Sequence, residues 1–285
     1  MKIYQISQLM HQRLDARYGR GEVEAIARMV MQEVLNYSTV DTVLRAPNDA
    51  PGFFDDKLEN IITRLERDEP IQYILGVATF HGHRFAVTPD TLIPRPETEQ
   101  LVDMIVDQNG DRDDLRVLDV GTGSGCIAIS LARALKFARV TAIDVSDGAL
   151  RVAQENARAL KARVDFVQAD VLTMAPWQPQ SLDVVVSNPP YVCQSERAQM
   201  QANVLDYEPA TALFVPDDDP LRFYRAIARQ AAVALAPGGR LYLEVNRRFA
   251  DDVAALLTRQ DLAEASVHRD AFGNDRFVTA QKVAN

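Results

Sequence analysis

The sequence predicts an α/β protein whose mainly parallel sheet is covered by helices on both faces. A small all-helical domain and a linking β-hairpin precede the sheet. Three observations carry this. Apolar residues at helical spacing fill residues 1–70 with almost no strand signal. From Glu97 onward short β-branched runs alternate with helical patterns, which implies βαβ crossovers and therefore parallel pairing. Between them, residues 71–96 hold short β-prone runs broken by turn residues. The expected division is 1–70, 71–96 and 97–285.

In the first region Ile3, Ile6, Leu9, Met10 and Leu14 share one helical face. Val23, Ile26, Ala27, Val30 and Val34 form a second stripe, opened by Gly19 and Gly21, and Leu58, Ile61, Ile62 and Leu65 a third that stops before Pro70. Residues 46–52 are turn chemistry, so a small bundle is expected. Val77–Phe80 and Phe85–Val87 flank His81-Gly82-His83 and suggest a hairpin. A lone His-x-His lacks the further ligands a tetrahedral site needs, so no metal is expected. Strands are then expected at 116–120, 140–143, 164–167, 182–187 and 241–245, with helices through Leu135, over 147–160 and over 221–235. Two closing strands, 263–269 and 276–280, have no helix between them, so one should run antiparallel.

Composition narrows the function classes. A chain of 285 residues, 47% hydrophobic and 25% charged, can bury a full core without staples. Its two cysteines, Cys126 and Cys193, argue against a disulfide framework and for a reducing compartment. No apolar stretch resembles a signal peptide or a membrane span, so the expected location is cytoplasmic and no membrane partner is expected. The net charge of −9, with no run of more than two basic residues, lowers the case for nucleic acid, whose phosphates are usually met by a basic stripe.

Val117-Leu118-Asp119-Val120-Gly121-Thr122-Gly123-Ser124-Gly125 runs a strand straight into a glycine turn and a helix. Such glycines let backbone approach a ligand and expose helix-terminal N–H groups. Asp144 ends the next strand at about the 20-residue separation expected of an acid that takes ribose hydroxyls. A plain tight turn would explain the glycines but not the strand, helix and acid in this order. The spacing is G-x-G-x-G rather than the G-x-G-x-x-G of dinucleotide sites, and it resembles class I methyltransferases. That resemblance implies a Rossmann-like fold and S-adenosyl-L-methionine as cofactor. Gly121, Thr122, Gly123, Ser124 and Gly125 would lie against its methionine part and Asp144 on its ribose. Asp170 would face the adenine amino group, or it could equally be a turn residue. Some relatives carry an aromatic residue at the position of Val171, which cannot stack on adenine.

After the strand ending at Ser187 comes Asn188-Pro189-Pro190-Tyr191, at a strand's C-terminal edge where α/β folds place ligands. An amide-type nitrogen is a poor nucleophile, and positive charge grows on it as it attacks a methyl group. The Asn188 side-chain oxygen and the Pro189 carbonyl can each accept one of its hydrogens, which aims fixed dipoles at that charge. The prolines remove backbone donors and restrict torsions, so the carbonyl direction is held. Tyr191 offers a flat face to a planar group. Asn188, Pro189 and Tyr191 are thus the candidate catalytic residues, Asn188 also touches the cofactor, and Pro190 joins them in holding the substrate.

The tetrapeptide names the nitrogen type only; adenine-N6, guanine-N2 and glutamine-N5 enzymes share it. Residues 91–99 (Thr-Leu-Ile-Pro-Arg-Pro-Glu-Thr-Glu), 68–76, 207–213 and 270–276 resemble signatures of the protein-(glutamine-N5) methyltransferases along nearly the whole chain. This implies transfer to the glutamine of the Gly-Gly-Gln motif of class I peptide chain release factors, gripped elsewhere by the helical domain. A ribosomal-protein glutamine is the nearest alternative and a nucleic-acid base the next. A cofactor-sensing module without activity would not need Asn188. Arg95 and Glu97 could act near the methionine end of the cofactor or simply open a helix. Relatives tend to have Glu-x-Gly where this chain has Glu244-Val245-Asn246, which reads as peripheral drift.

Overall fold

The structure, a computed structural model, describes residues 1–283. Two compact units are present: Met1–Gly76 together with Gln201–Tyr207, and Val77–Met200 with the chain from Glu208 on.

The first unit packs α1 (Ile3–Tyr18), α2 (Arg20–Leu35), α3 (Thr39–Leu44), α4 (Phe54–Leu65) and α5 (Ile71–Leu75). The three stripes meet as expected: Ile6, Met10, Val23, Val30, Leu58 and Ile62 are all fully buried in one core. Gly19 breaks α1 from α2 at φ 78°, while Gly21 lies inside α2 rather than before it. Residues 71–75, expected to be β-prone, instead make a helical turn that Gly76 ends in the left-handed conformation.

The hairpin is therefore shorter than 71–96: β1 (Val77–Phe80) pairs with β2 (His83–Ala86). Its two turn residues, His81 and Gly82, both have positive φ, as the tight hairpin turn that matches strand twist requires. There follow α6 (Pro96–Asn109), β3 (Arg116–Val120), α7 (Cys126–Ala134), β4 (Arg139–Asp144), α8 (Asp147–Ala159), β5 (Val164–Gln168), β6 (Leu182–Ser187), β7 (Val192–Cys193) and a 3-10 segment, Gln194–Gln199. Next come α9 (Ala202–Tyr207), which belongs to the first unit, then α10 (Ala210–Leu213), β8 (Phe214–Val215) and α11 (Arg222–Ala234). The chain closes with β9 (Leu235–Glu244), α12 (Ala250–Thr258), β10 (Leu262–Arg269) and β11 (Asp275–Lys282).

Seven strands form one sheet in the order β10-β11-β9-β6-β3-β4-β5. β5, β4, β3, β6 and β9 pair in parallel, and β11 is antiparallel to both neighbours, the reversed closing strand that the missing helix implies. Alternation splits the central strands between two cores. Leu118, Val120 and Val185 face Tyr224 and Ile227 on one side; Val117, Val184 and Val186 face Leu101, Ile105 and Ile129 on the other. Burying both faces is what requires unbroken apolar runs here. Strand order reverses between β3 and β6, which opens a crevice at their C-terminal ends.

Candidate active site

A pocket opens at that crevice, with about 1070 Å³ of empty space including its mouth. Gly121, Thr122, Gly123, Ser124, Asp144, Asp170, Val171, Asn188, Pro189 and Pro190 all line it; Gly125 and Tyr191 do not. Gly121 and Gly123 adopt φ of 74° and 55° with open space where a Cβ would project, a cradle that backbone alone forms. Gly125 serves the helix instead: it precedes α7 at φ 81°, and a Cβ there would meet Ile129 Cδ1 at 2.9 Å and Ala153 Cβ at 3.1 Å.

Asp144 closes the cradle. Its Oδ2 accepts from the Gly123 N–H and its Oδ1 from the Ser146 N–H, each at 2.9 Å. Burial lifts its pKa above the usual carboxylate range, and these backbone donors oppose the lift. The carboxylate still has acceptor capacity to offer a hydroxyl in the pocket it lines. Below the loop, fully buried Asp119 accepts from the Thr122 hydroxyl at 2.7 Å, and burial pushes its pKa up to about 7. Asp170 lines the pocket and is also a turn residue, its Oδ1 accepting from the Leu172 N–H at 2.9 Å. The glycine cradle and the acid beyond it fit S-adenosylmethionine.

The Asn188–Tyr191 loop is anchored from behind. Asn188 donates Nδ2–H to Thr98 Oγ1 at 3.1 Å, and Thr98 donates in turn to Glu244 Oε2 at 2.7 Å. Tyr191 turns away from the pocket: it packs against the core and donates its hydroxyl to Glu244 Oε1 at 3.1 Å. Burial, and then the nearby Glu244 charge, raise the Tyr191 pKa, so this proton stays in place. Asn246 is not peripheral. It is buried, and its Nδ2 donates to the Tyr191 carbonyl at 3.1 Å and to Glu196 at 3.0 Å. A glycine there could make neither bond.

Arg95 lines the pocket while donating to Glu208 Oε1 at 2.6 Å, and the Ile93 N–H donates to the other oxygen at 3.1 Å. Two segments singled out separately in the sequence are thus joined by one buried carboxylate. Glu97 is not in the lining; its neighbour Thr98 is. Thr98, Glu208 and Asn246 were missed as site residues. The available signals were the position of Thr98 within a recognised segment and the acid at the end of an otherwise apolar strand, Glu244. Elsewhere His81 meets Asp103 at 2.9 Å and His83 meets Arg133 at 3.2 Å. Among the described residues, no group of three or more His, Cys, Asp or Glu is placed to hold a metal, and no helix is long and apolar enough to cross a membrane.

Residues 97–210 match the Methyltransferase small domain family and residues 6–76 the PrmC N-terminal domain family. A methyltransferase from Pyrococcus furiosus superposes with a TM-score of 0.53 over 79% of this chain and 100% of its own, at 16% identity, which speaks for the fold alone. With the glycine cradle at the switch point, the family matches define an S-adenosylmethionine-dependent methyltransferase of class I. Curated relatives narrow the class. The release factor glutamine methyltransferase of Bacteroides thetaiotaomicron is 45% identical over 97% of this chain and 99% of its own. That of Flavobacterium psychrophilum is 40% identical over 94% of each. The chain belongs to the release factor glutamine methyltransferase family.

Proposed function

We propose that this enzyme methylates the side-chain amide nitrogen of the glutamine in the Gly-Gly-Gln motif of class I peptide chain release factors. Bound S-adenosylmethionine supplies an electrophilic methyl group on a sulfonium. The residues of this chain position the nucleophile. Asn188 Oδ1 and the Pro189 carbonyl accept the two amide hydrogens, Pro190 confines the planar group, and Tyr191 fixes the loop from behind. The methyl group would pass from the bound cofactor's sulfur to the nitrogen these residues hold, and the surplus proton would leave the nitrogen afterwards, so no base is needed beforehand. The rate then comes from orientation and from dipoles already aimed at the growing charge. The observation that supports this best is Asn188 in the pocket lining with its amide nitrogen turned to Thr98.

We place the enzyme in the cytoplasm, in keeping with two free, buried cysteines. The first unit supplies contacts to the release factor away from its tip, and neither nucleic acid nor membrane is a direct partner. Mass spectrometry after incubation with isotope-labelled cofactor tests the assignment. A full-length release factor should gain one methyl group on that glutamine, and one with the tripeptide glutamine replaced by alanine should gain none. Equal labelling of the two would overturn it.

A further inference from the structure

Asn188 must present oxygen, not nitrogen, to the substrate, yet the two ends of a carboxamide are nearly the same shape. A flipped amide would aim two N–H donors at the hydrogens of the incoming nitrogen. Something must therefore fix its polarity, and the structure holds a chain of groups able to do so. The Thr98 hydroxyl has one proton and gives it to Glu244 at 2.7 Å. Towards Asn188, 3.1 Å away, the same oxygen can then only accept, so the nitrogen of Asn188 must face it. The other Glu244 oxygen accepts from the Tyr191 hydroxyl at 3.1 Å, and both hydrogen bonds favour the ionised, acceptor-only carboxylate against the cost of its burial. Thr98 and Glu244 are 3% and 1% exposed, so water does not compete for these bonds. The three groups come from the first turn of α6, the end of β6 and the end of β9.

We propose that Thr98 and Glu244 are positioning residues that set the polarity of the Asn188 amide, turning its oxygen into the pocket. This rests on the acceptor role of Asn188 and deepens it. Lacking the Glu244 acceptor, Thr98 could donate to Asn188 Oδ1, and the inverted amide would become the better-bonded state.

Single-turnover methyl transfer to a release factor, alongside calorimetric binding of S-adenosylmethionine, tests the relay in the full chain. Thr98→Val keeps the shape and removes the hydroxyl; its transfer rate should fall about 10- to 100-fold with cofactor affinity within about threefold. Thr98→Ser restores the hydroxyl and should recover to within about threefold of the parent rate. Asn188→Ala, measured in parallel, separates the two layers of the argument. If it is slow while Thr98→Val is fast, the relay falls and the acceptor role stands; if it is fast, both fall. A serine variant as slow as the valine variant would also overturn the relay. Should Thr98→Val not fold, the parent protein still decides: the Asn188 side-chain NH₂ resonances, identified by their loss in Asn188→Ala, should include one slowly exchanging proton. Both exchanging as in a free asparagine would sink the proposal.

Discussion

Asn188 lines the pocket and Asp119 is buried beneath its glycine loop, and the two respond to different measurements. For Asn188→Ala, single-turnover transfer should drop roughly 100-fold or more while calorimetry finds cofactor binding largely retained, because one aimed dipole is lost but the cradle is not. Asp119 should show itself in stability. Its folded pKa of about 7 lies above the ordinary value of 3.8, chiefly through burial. An acid with a raised folded pKa contributes most below its unfolded pKa and loses that contribution as pH rises through the folded value. The stability of the parent relative to Asp119→Asn should therefore be greatest near pH 4 and decline towards pH 8 in urea unfolding. A gap independent of pH would show that folding leaves the Asp119 pKa unshifted. At this scale the sequence was legible where a function is written in adjacent residues, as in Gly121–Gly125 and Asn188–Tyr191. It was not legible where the partner is remote. Asn188 and Thr98 are 90 residues apart, Thr98 and Glu244 146, Ile93 and Glu208 115, and no local pattern encodes such pairs.

Most elements that bury a long face were legible, but α12, which buries Ala250, Val253, Leu256 and Leu257, was not read, and the short α5 was read as β-prone. The β-branched runs of β3 and β6 and the apolar stripe of α11 were readable because packing dictates their period. α3 and α9 have no buried residue, so no stripe exists to read. What shapes α3 is its cap: Ser38 accepts from the Asp41 N–H at 3.1 Å, and the Asp41 carboxylate accepts from the Ser38 N–H at 3.0 Å. Asn246 was misread for a related reason, since its value lies in tying β9 to the loop after β6. The start of α7 supplies the element-level prediction. Gly125→Ala adds a methyl against Ile129 and Ala153 at a positive φ, so chemical denaturation should find it about 2–4 kcal/mol less stable. Parent-like stability would mean that the α7–α8 contact yields freely.

For the whole molecule, the change from helical to alternating pattern was visible, but the return of the chain was not. Residues 201–207 belong to the first unit, and the Tyr207 hydroxyl donates to the Arg67 carbonyl at 2.8 Å. The segment carries no apolar period because a polar tie, not a buried stripe, holds it. In hydrogen exchange under mild denaturant, the amides of α9 should lose protection together with α4 rather than with β7 and β8, their neighbours in sequence. The opposite grouping would detach α9 from that unit. The same excursion bears on how the protein is made. A ribosome extrudes the five N-terminal helices first, yet their unit lacks its last piece until Tyr207 has emerged. At about 5–20 residues per second, that leaves roughly ten seconds in which a nascent bundle waits incomplete while most of the parallel sheet is still being synthesised.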